Sequence, residues 1–465
     1  MSQDLLAARP VARPVARATP GWWRDVAAAL AWASLAVVVL LWIAGGGVSD
    51  LSAPGAVATS LGRVTGLVAA DLMLVQVVMM ARVPFVERSY GQDELARLHR
   101  LAGLTSFNLM LAHVVLILVG YAAAARTGLL AETWAVVTTY PGMLLSVAGL
   151  AALVMVVVTS LRAARRRLRY ESWHLLHLYA YVGAGLALPH QLWTGQEFIT
   201  HPWARGYWWA VWGVALGSVL AFRLGLPLLR SWRHRLVVDR VVVEGPDVVS
   251  VHLRGRHLHR LPVRAGQFFN WRFLDGPGWT RANPYSLSAA PTGDSLRITV
   301  REVDGTGRLA RLRPGTRVLV EGPYGRLTAD QRLRPKVTLM ASGIGITPLR
   351  ALLDDLDAAP GDITLIFRAS DESGLVLREE LEAIGRERGV RLLWVLGPRI
   401  PDRTTWLPDQ AKHLSDAQAL LRLVPDVADQ DVYLCGAEPW MLAARDAARS
   451  VGVPDHHIHL ERFSW

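Results

Sequence analysis

The sequence predicts a multi-domain membrane protein: a six-helix transmembrane bundle, then a small antiparallel β-barrel, then an α/β doubly wound parallel-sheet domain. Three observations predict it. The first half of the chain holds six long apolar segments, residues 235–327 alternate apolar and polar residues between turns, and residues 335–465 alternate strand-like and helix-like stretches. The expected boundaries are a tail at 1–25, the bundle at 26–230, the barrel at 231–330 and the parallel sheet at 331–465.

The six segments run over 26–45, 62–80, 101–125, 140–161, 174–192 and 206–229. Most are free of charge for about 20 residues, the length that crosses a 30 Å hydrocarbon core. Asp71 and Arg223 are exceptions. The net charge of +11 suggests nucleic acid at first, but the arginines cluster at segment ends, which is a topology signal and excludes a nucleic-acid partner. Arg9, Arg13, Arg17 and Arg24 precede the first segment. Arg82, Arg88 and Arg97 follow the second, and Arg162, Arg165, Arg166, Arg167 and Arg169 follow the fourth. The alternate loops carry only Arg126 and Arg205. By the positive-inside rule both termini face the cytoplasm of a multi-pass cell-membrane protein. The first 25 residues lack an apolar core and cleavage site, so they read as a cytoplasmic tail. A single cysteine, Cys435, excludes an intramolecular disulfide and a four-cysteine iron–sulfur cluster.

Two histidine pairs stand in the apolar half, His99 with His113 and His177 with His190. Helical rise separates the members of each pair by about 20–21 Å. The topology makes the third and fifth helices parallel, so His99 and His177 share the cytoplasmic level while His113 and His190 share the outer one. Imidazole is a common axial ligand of haem iron, and ionisable residues inside a membrane are functional by default. The four histidines therefore predict two stacked bis-histidine haem sites. A spacing of 14 keeps a pair within about 40° of one helix face, whereas 13 misses by about 140°. The fifth helix is therefore expected to distort, and Gly183, Gly185 and Pro189 lie between its two histidines. His174 is the competing ligand at the depth of His177 but has no partner three or four turns on.

In the last domain the first strand ends in the turn Gly343-Ile344-Gly345-Ile346-Thr347-Pro348. Glycines let a backbone approach a pyrophosphate, the following helix offers free N–H groups, and Pro348 suits its first turn. The pattern is G-x-G-x-x-P rather than the dinucleotide fingerprint, and a plain structural turn is the competing reading.

The order Asn283-Pro284-Tyr285-Ser286, Gly305-Thr306, Gly322-Pro323-Tyr324-Gly325, the glycine turn, Cys435-Gly436 and Glu461-Arg462-Phe463 resembles the ferredoxin–NADP reductase superfamily. With the two histidine pairs, residues 26–465 resemble the NADPH oxidase and ferric reductase family. The resemblance implies FAD, NADPH (NADH being the alternative) and two b-type haems as cofactors. It implies flavin contacts from Tyr285, Ser286, Gly305 and Thr306. Asn283 replaces the family's basic residue, and Arg281 is the substitute for it on the flavin pyrophosphate. The nucleotide loop is Gly343, Gly345, Thr347 and Pro348, with Cys435 and Gly436 beside the nicotinamide. Phe463, two residues after Glu461, would cover the flavin ring, and Trp465 is the second candidate for that stacking. Arg368 is the expected selector of NADPH. Arg63, nineteen residues before Arg82, would sit near the outer haem and attract a propionate or superoxide.

The implied activity is electron transfer from cytoplasmic NADPH through FAD and two haems to an outside acceptor, with oxygen giving superoxide. A ferric-chelate reductase with the same path is one alternative. A non-enzymatic electron carrier or anchored reductase serving a partner protein is another. The expected partners are the lipid bilayer, NAD(P)H and oxygen or a ferric chelate, with no obligatory protein partner.

Overall fold

The computed structural model describes residues 22–52, 56–168, 170–276, 279, 281–302 and 307–461. Gly305, Thr306, Phe463 and Trp465, like most of the N-terminal tail, lie outside the described residues. The chain divides between Arg223 and Leu224 into two compact units.

The N-terminal unit is helical. Its long helices are α1 (Trp22–Ala44), α2 (Val57–Met80), α3 (Gln92–Ala125), α4 (Met143–Ser160), α5 (Tyr170–Thr194) and α6 (Pro202–Ser218). α6 begins on Pro202, whose missing N–H costs nothing in a first turn, and runs through a π-helical stretch, Val219–Gly225, into Leu226–His234. Among the described residues five helices are long and apolar enough to cross a membrane, against the six expected from the sequence. The one left out is α5. It has the length, 25 residues, but Glu171, His174, His177, His190 and Gln191 dilute its apolar content. α5 also keeps Pro189 inside one unbroken helix.

α2 lies along α3, and α4 along α5. A Cβ on Gly149 of α4 would stand 2.7 Å from the Gly183 carbonyl oxygen of α5, so these backbones approach as closely as glycine alone permits. Val38, Leu41, Leu67, Leu74, Ala204 and Trp208 form the buried seam of α1, α2 and α6.

The C-terminal unit starts with six strands: β1 (Val237–Gly245), β2 (Val248–Arg254), β3 (Phe268–Phe273), β4 (Asn283–Ser286), β5 (Ser295–Arg301) and β6 (Val318–Tyr324). They form two antiparallel sheets, β1-β2-β5 and β4-β3-β6. The expected antiparallel strands are therefore present, in two three-stranded sheets. Among the described residues the sheets meet at the bridges Val237 with Arg317 and Leu287 with Ile298, and the Val238 and Val318 N–H groups donate to the Thr316 and Leu236 carbonyls (both 2.9 Å). β4 spans four residues and ends before it can extend the ladder to β5. Val251, Phe269, Trp271, Leu287 and Ile298 fill one core common to both sheets.

The remaining elements are β7 (Val337–Ser342), α7 (Ile346–Asp355), β8 (Ile363–Ala369), α8 (Arg378–Arg388), β9 (Arg391–Leu396), α9 (Asp416–Leu423), β10 (Asp431–Cys435), α10 (Glu438–Ser450) and β11 (Ile458–Leu460). They build a five-stranded parallel sheet in the order β11-β10-β7-β8-β9. Every strand of such a sheet is apolar on both faces because helices cover both, and β8 is buried at all seven residues. The chain moves outward from β7 to β9 and then returns to the other side of β7. The order therefore reverses between β7 and β10, where open α/β sheets hold their ligands.

At the opposite end of β10, Asp431 is fully buried. Its Oδ1 accepts from His457 Nδ1 (2.9 Å) and His459 Nε2 (3.1 Å), and its Oδ2 from the Leu333 and Arg334 N–H groups. Burial pushes the Asp431 carboxyl up, but the hydrogen bonds outweigh it and leave it below its ordinary value. Burial holds His459 below the ordinary imidazole value despite Asp431. An imidazole depressed in the fold binds its proton better in the unfolded chain. The unit is therefore expected to lose stability as pH falls below about 6.5, at up to about 1.4 kcal/mol per pH unit. The Asp431 contribution goes only at lower pH, below the ordinary carboxylate value. Thermal midpoints at pH 7.5 and 5.5 check this, and equal midpoints would refute it.

Candidate functional site: two histidine levels and a nucleotide cleft

α3 begins at Gln92, nine residues before the apolar segment, so His99 and His113 sit on one continuous helix. The His99 and His177 rings face each other across α3 and α5, with centroids 5.9 Å apart and planes inclined by 67°. Metal–imidazole bonds of about 2 Å from each Nε2 separate facing centroids by roughly 6 Å. Ser160 Oγ at the end of α4 lies 3.2 Å from His177 Nδ1 and accepts from Trp173 Nε1 (3.3 Å). The Arg165 guanidinium covers the Trp173 ring at 4.5 Å. His174 contacts Trp173, whereas His177 is the residue that meets His99.

At the second level His113 Nδ1 donates to the Gly62 carbonyl oxygen of α2 (2.7 Å). That bond fixes the tautomer and leaves Nε2 with its lone pair, the arrangement a metal-bound imidazole requires. A Cβ on Gly66 would stand 2.5 Å from His113 Nδ1, so glycine is needed where α2 passes the ring. His190 of α5 lies within electrostatic reach of His113. The Nδ1 atoms of His99 and His190 are buried without a hydrogen bond, and the backbones of Gln76 and Ala187 lie beside them short of good bonding geometry. Four half-buried imidazoles in two groups, one facing at metal-spanning distance, fit two axially ligated haems.

Arg63 lies on α2 beside this level but is already engaged. Its Nε donates to Glu197 Oε1 (2.8 Å), and its two terminal nitrogens to Asp50 Oδ2 (2.9 Å) and the Gly45 carbonyl (2.9 Å). Two carboxylates neutralise the guanidinium, which is not a bare cation waiting for an anion.

In the C-terminal unit Gly343, at φ +56°, turns the chain out of β7, and Gly345 caps α7. A Cβ on Gly345 would stand 2.3 Å from the Cys435 carbonyl oxygen, so the turn is pressed against Cys435-Gly436 at the end of β10. Thr347 Oγ1 donates to the Ile344 carbonyl (3.0 Å), and Pro348 is buried in the first turns of α7. Burial, then the Glu461 carboxylate, pushes the Cys435 thiol well above its ordinary value, so it stays protonated. Glu461 accepts from the Arg326 and Leu327 N–H groups, and this holds it against the turn after β6. These predicted residues thus converge at the reversal of strand order.

A cleft of about 520 Å³ opens there, lined by Ser342, Gly343, Arg301, Arg368, Arg399 and Arg403 among others. Arg368 is buried and donates to the Ala369 and Pro398 carbonyls. Burial, then neighbouring Arg399, lowers its pKa from the ordinary guanidinium value. Arg399 and Arg403 were not singled out in the sequence. They come from the loop after β9, and no spacing rule marks them among 50 basic residues.

Asn283, Tyr285 and Ser286 form β4, and Arg281 is exposed just before it. Trp271 Nε1 donates to the Tyr285 carbonyl (2.9 Å). Among the described residues Ser286 Oγ is buried with no hydrogen-bond partner, an orphaned hydroxyl of the kind a bound flavin satisfies. The β4 residues therefore fit FAD.

A family model described as "Ferric reductase like transmembrane component" matches residues 65–188. The ferredoxin reductase component of 3-ketosteroid-9-alpha-monooxygenase from Mycolicibacterium smegmatis is 34% identical over 231 residues, covering 48% of this chain and 59% of that protein. Ferredoxin–NADP reductase B of Sorangium cellulosum is 32% identical over 214 residues, covering 43% of this chain and 84% of that protein. The flavohemoprotein of Chromobacterium violaceum is 29% identical, covering 50% and 61%. The FAD/NAD-binding domain of a nitric oxide dioxygenase from Vibrio cholerae superposes on 49% of this chain and 98% of its own, with 23% identity and a TM-score of 0.41. The chain spans 59% and 56% of the length of the first curated relatives it matches. Through its C-terminal half the chain belongs to the ferredoxin–NADP reductase family, here fused behind a ferric-reductase-like transmembrane component in the arrangement of the NADPH oxidase and ferric reductase family.

Proposed function

We propose that the chain is an oxidoreductase that moves electrons from cytoplasmic NADPH through FAD and two b-type haems to an acceptor across the membrane, with oxygen giving superoxide. The observation that carries this reading is the facing of His99 and His177 at metal-spanning distance. Gly343, Gly345 and the first turn of α7 receive the nucleotide pyrophosphate, and Arg368 with Arg399 and Arg403 favours a phosphorylated ribose. Cys435, a neutral thiol, packs beside the nicotinamide without reacting. Ser286, Tyr285 and Arg281 hold the flavin, with Gly305 and Thr306 on its phosphates, and Phe463 covers its ring. His99 with His177 and His113 with His190 hold the haems, both termini being cytoplasmic. Bound flavin would divide a hydride into single electrons, and haem iron would pass them on singly. Because the four histidines would hold both irons, they would leave no open ligand position for an acceptor.

Cytochrome c reduction by purified protein with NADPH is the test. Superoxide dismutase is expected to suppress it. Reduction that persists unchanged with dismutase and is matched by ferric-chelate reduction sinks the oxygen reading. The matched family description favours that second reading, a ferric-chelate reductase on the same path.

A further inference from the structure

Asp71 lies on α2 at the centre of the N-terminal unit and is fully buried. Gly66, which passes the His113 ring, is five residues before it, and Gln76, which lies beside His99, is five residues after it. Helical rise therefore puts Asp71 midway between those two positions, about 7.5 Å along α2 from each. Five residues also turn it about 140° from Gly66, to the side of α2 that meets α1 and α6. There Ser34 of α1 donates to Asp71 Oδ1, and Ser34 Oγ is 2.9 Å from the Tyr207 hydroxyl of α6. Tyr207 is the titratable group that faces it from these helices. Among the described residues no Lys, Arg or His pairs with Asp71, and Oδ2 has no hydrogen-bond partner.

An uncompensated carboxylate at such a place is costly, so the acid persists where its charge has a use. We propose that the Asp71 carboxyl is a proton-binding site that compensates electrons arriving at the two histidine levels. It rests on the haem reading above. An oxidised level carries positive charge that offsets the Asp71 anion at half-membrane depth. One electron added at a level removes that offset. One proton from water then forms an O–H bond on the bare Oδ2, and the bond breaks again when the electron leaves for the acceptor. Oxidation of NAD(P)H to NAD(P)+ supplies two electrons and releases one proton, so charge balances with protons from water.

The test is reduced-minus-oxidised infrared spectroscopy of the purified full chain, with redox titration from pH 6 to 8. In the native chain reduction is expected to raise the carbonyl band of a protonated carboxylic acid, and haem potentials to fall as pH rises. Asp71→Asn is expected to lose that band and flatten the pH dependence. Asp71→Glu should shift the band, and Ser34→Ala should move it while keeping it. These two variants decide the matter if Asp71→Asn fails to fold. An unchanged band in Asp71→Asn, or no effect of Ser34→Ala and Asp71→Glu on it, overturns the proposal. Native protein with no haem spectrum overturns the haem reading and the proposal together, whereas a normal haem spectrum with an unchanged band overturns the proposal alone.

Discussion

Replacing His113 or His190 with Leu is expected to cut the haem content of purified protein from two per chain to one. Transfer to an outside acceptor is expected to fall to background, while NADPH still reduces the flavin at its native rate. His113 is the more informative of the two. Its Nδ1 bond to the Gly62 carbonyl is worth about 1 kcal/mol, too little for its loss to unfold a helix bundle, so a missing haem reports ligation and not collapse. His174→Leu is the control at the other level. The ring that meets His99 belongs to His177, so His174→Leu should retain both haems and His177→Leu should retain one. Pyridine haemochrome analysis counts the haems. Two haems in His113→Leu would overturn the ligand assignment.

Gly345→Ala is expected to raise the KM for NADPH at least tenfold, roughly 1.4 kcal/mol of lost binding. It should also lower the stability of the C-terminal unit by about 1–3 kcal/mol. The added methyl would stand 2.3 Å from the Cys435 carbonyl oxygen and 2.7 Å from Gly436 Cα, and both are backbone atoms that cannot rotate away. Gly343→Ala has a different cost. Among the described residues nothing lies nearer than 3.9 Å, so its cost is the positive φ of 56°, about 1 kcal/mol. Steady-state kinetics and thermal melting of the two variants give the order. A larger effect at Gly343 would show that the turn needs an unusual backbone angle more than it needs close approach.

The histidine pairs and the glycine turn were legible because each joins a rare residue to a fixed repeat: an imidazole in apolar surroundings, or two glycines ahead of a proline. His99 shows where such reading stops. It lies before the apolar segment, and only the structure carries α3 back to Gln92 through polar residues that an apolar count discards. α5 fails the same count for the opposite reason, since the residues that make it a candidate ligand helix lower its hydropathy. The five strands read from alternation are present, but β4 was missed because four residues with a proline show no period. Whether strands close a barrel depends on pairing between distant segments, here the bonds of Leu236–Val238 to residues 315–318, and alternation says nothing of these. Arg399, Arg403 and Ser160 escaped because they act through the fold and not through spacing. Arg63 was visible as a cation, but its partners Asp50 and Glu197 are 13 and 134 residues away.

His99 and His113 are fixed by fourteen residues of one helix, so their separation is a covalent ruler of about 21 Å. A bilayer that is thicker or thinner than the apolar helices is met by tilt, by snorkelling side chains or by deformation of the lipid. None of these lengthens the ruler. Electron tunnelling falls steeply with distance, so a path laid out on the ruler keeps its rate when the lipid changes. Reconstitution into short-chain and long-chain lipids should then alter how the protein inserts while leaving the transfer rate between its two levels the same.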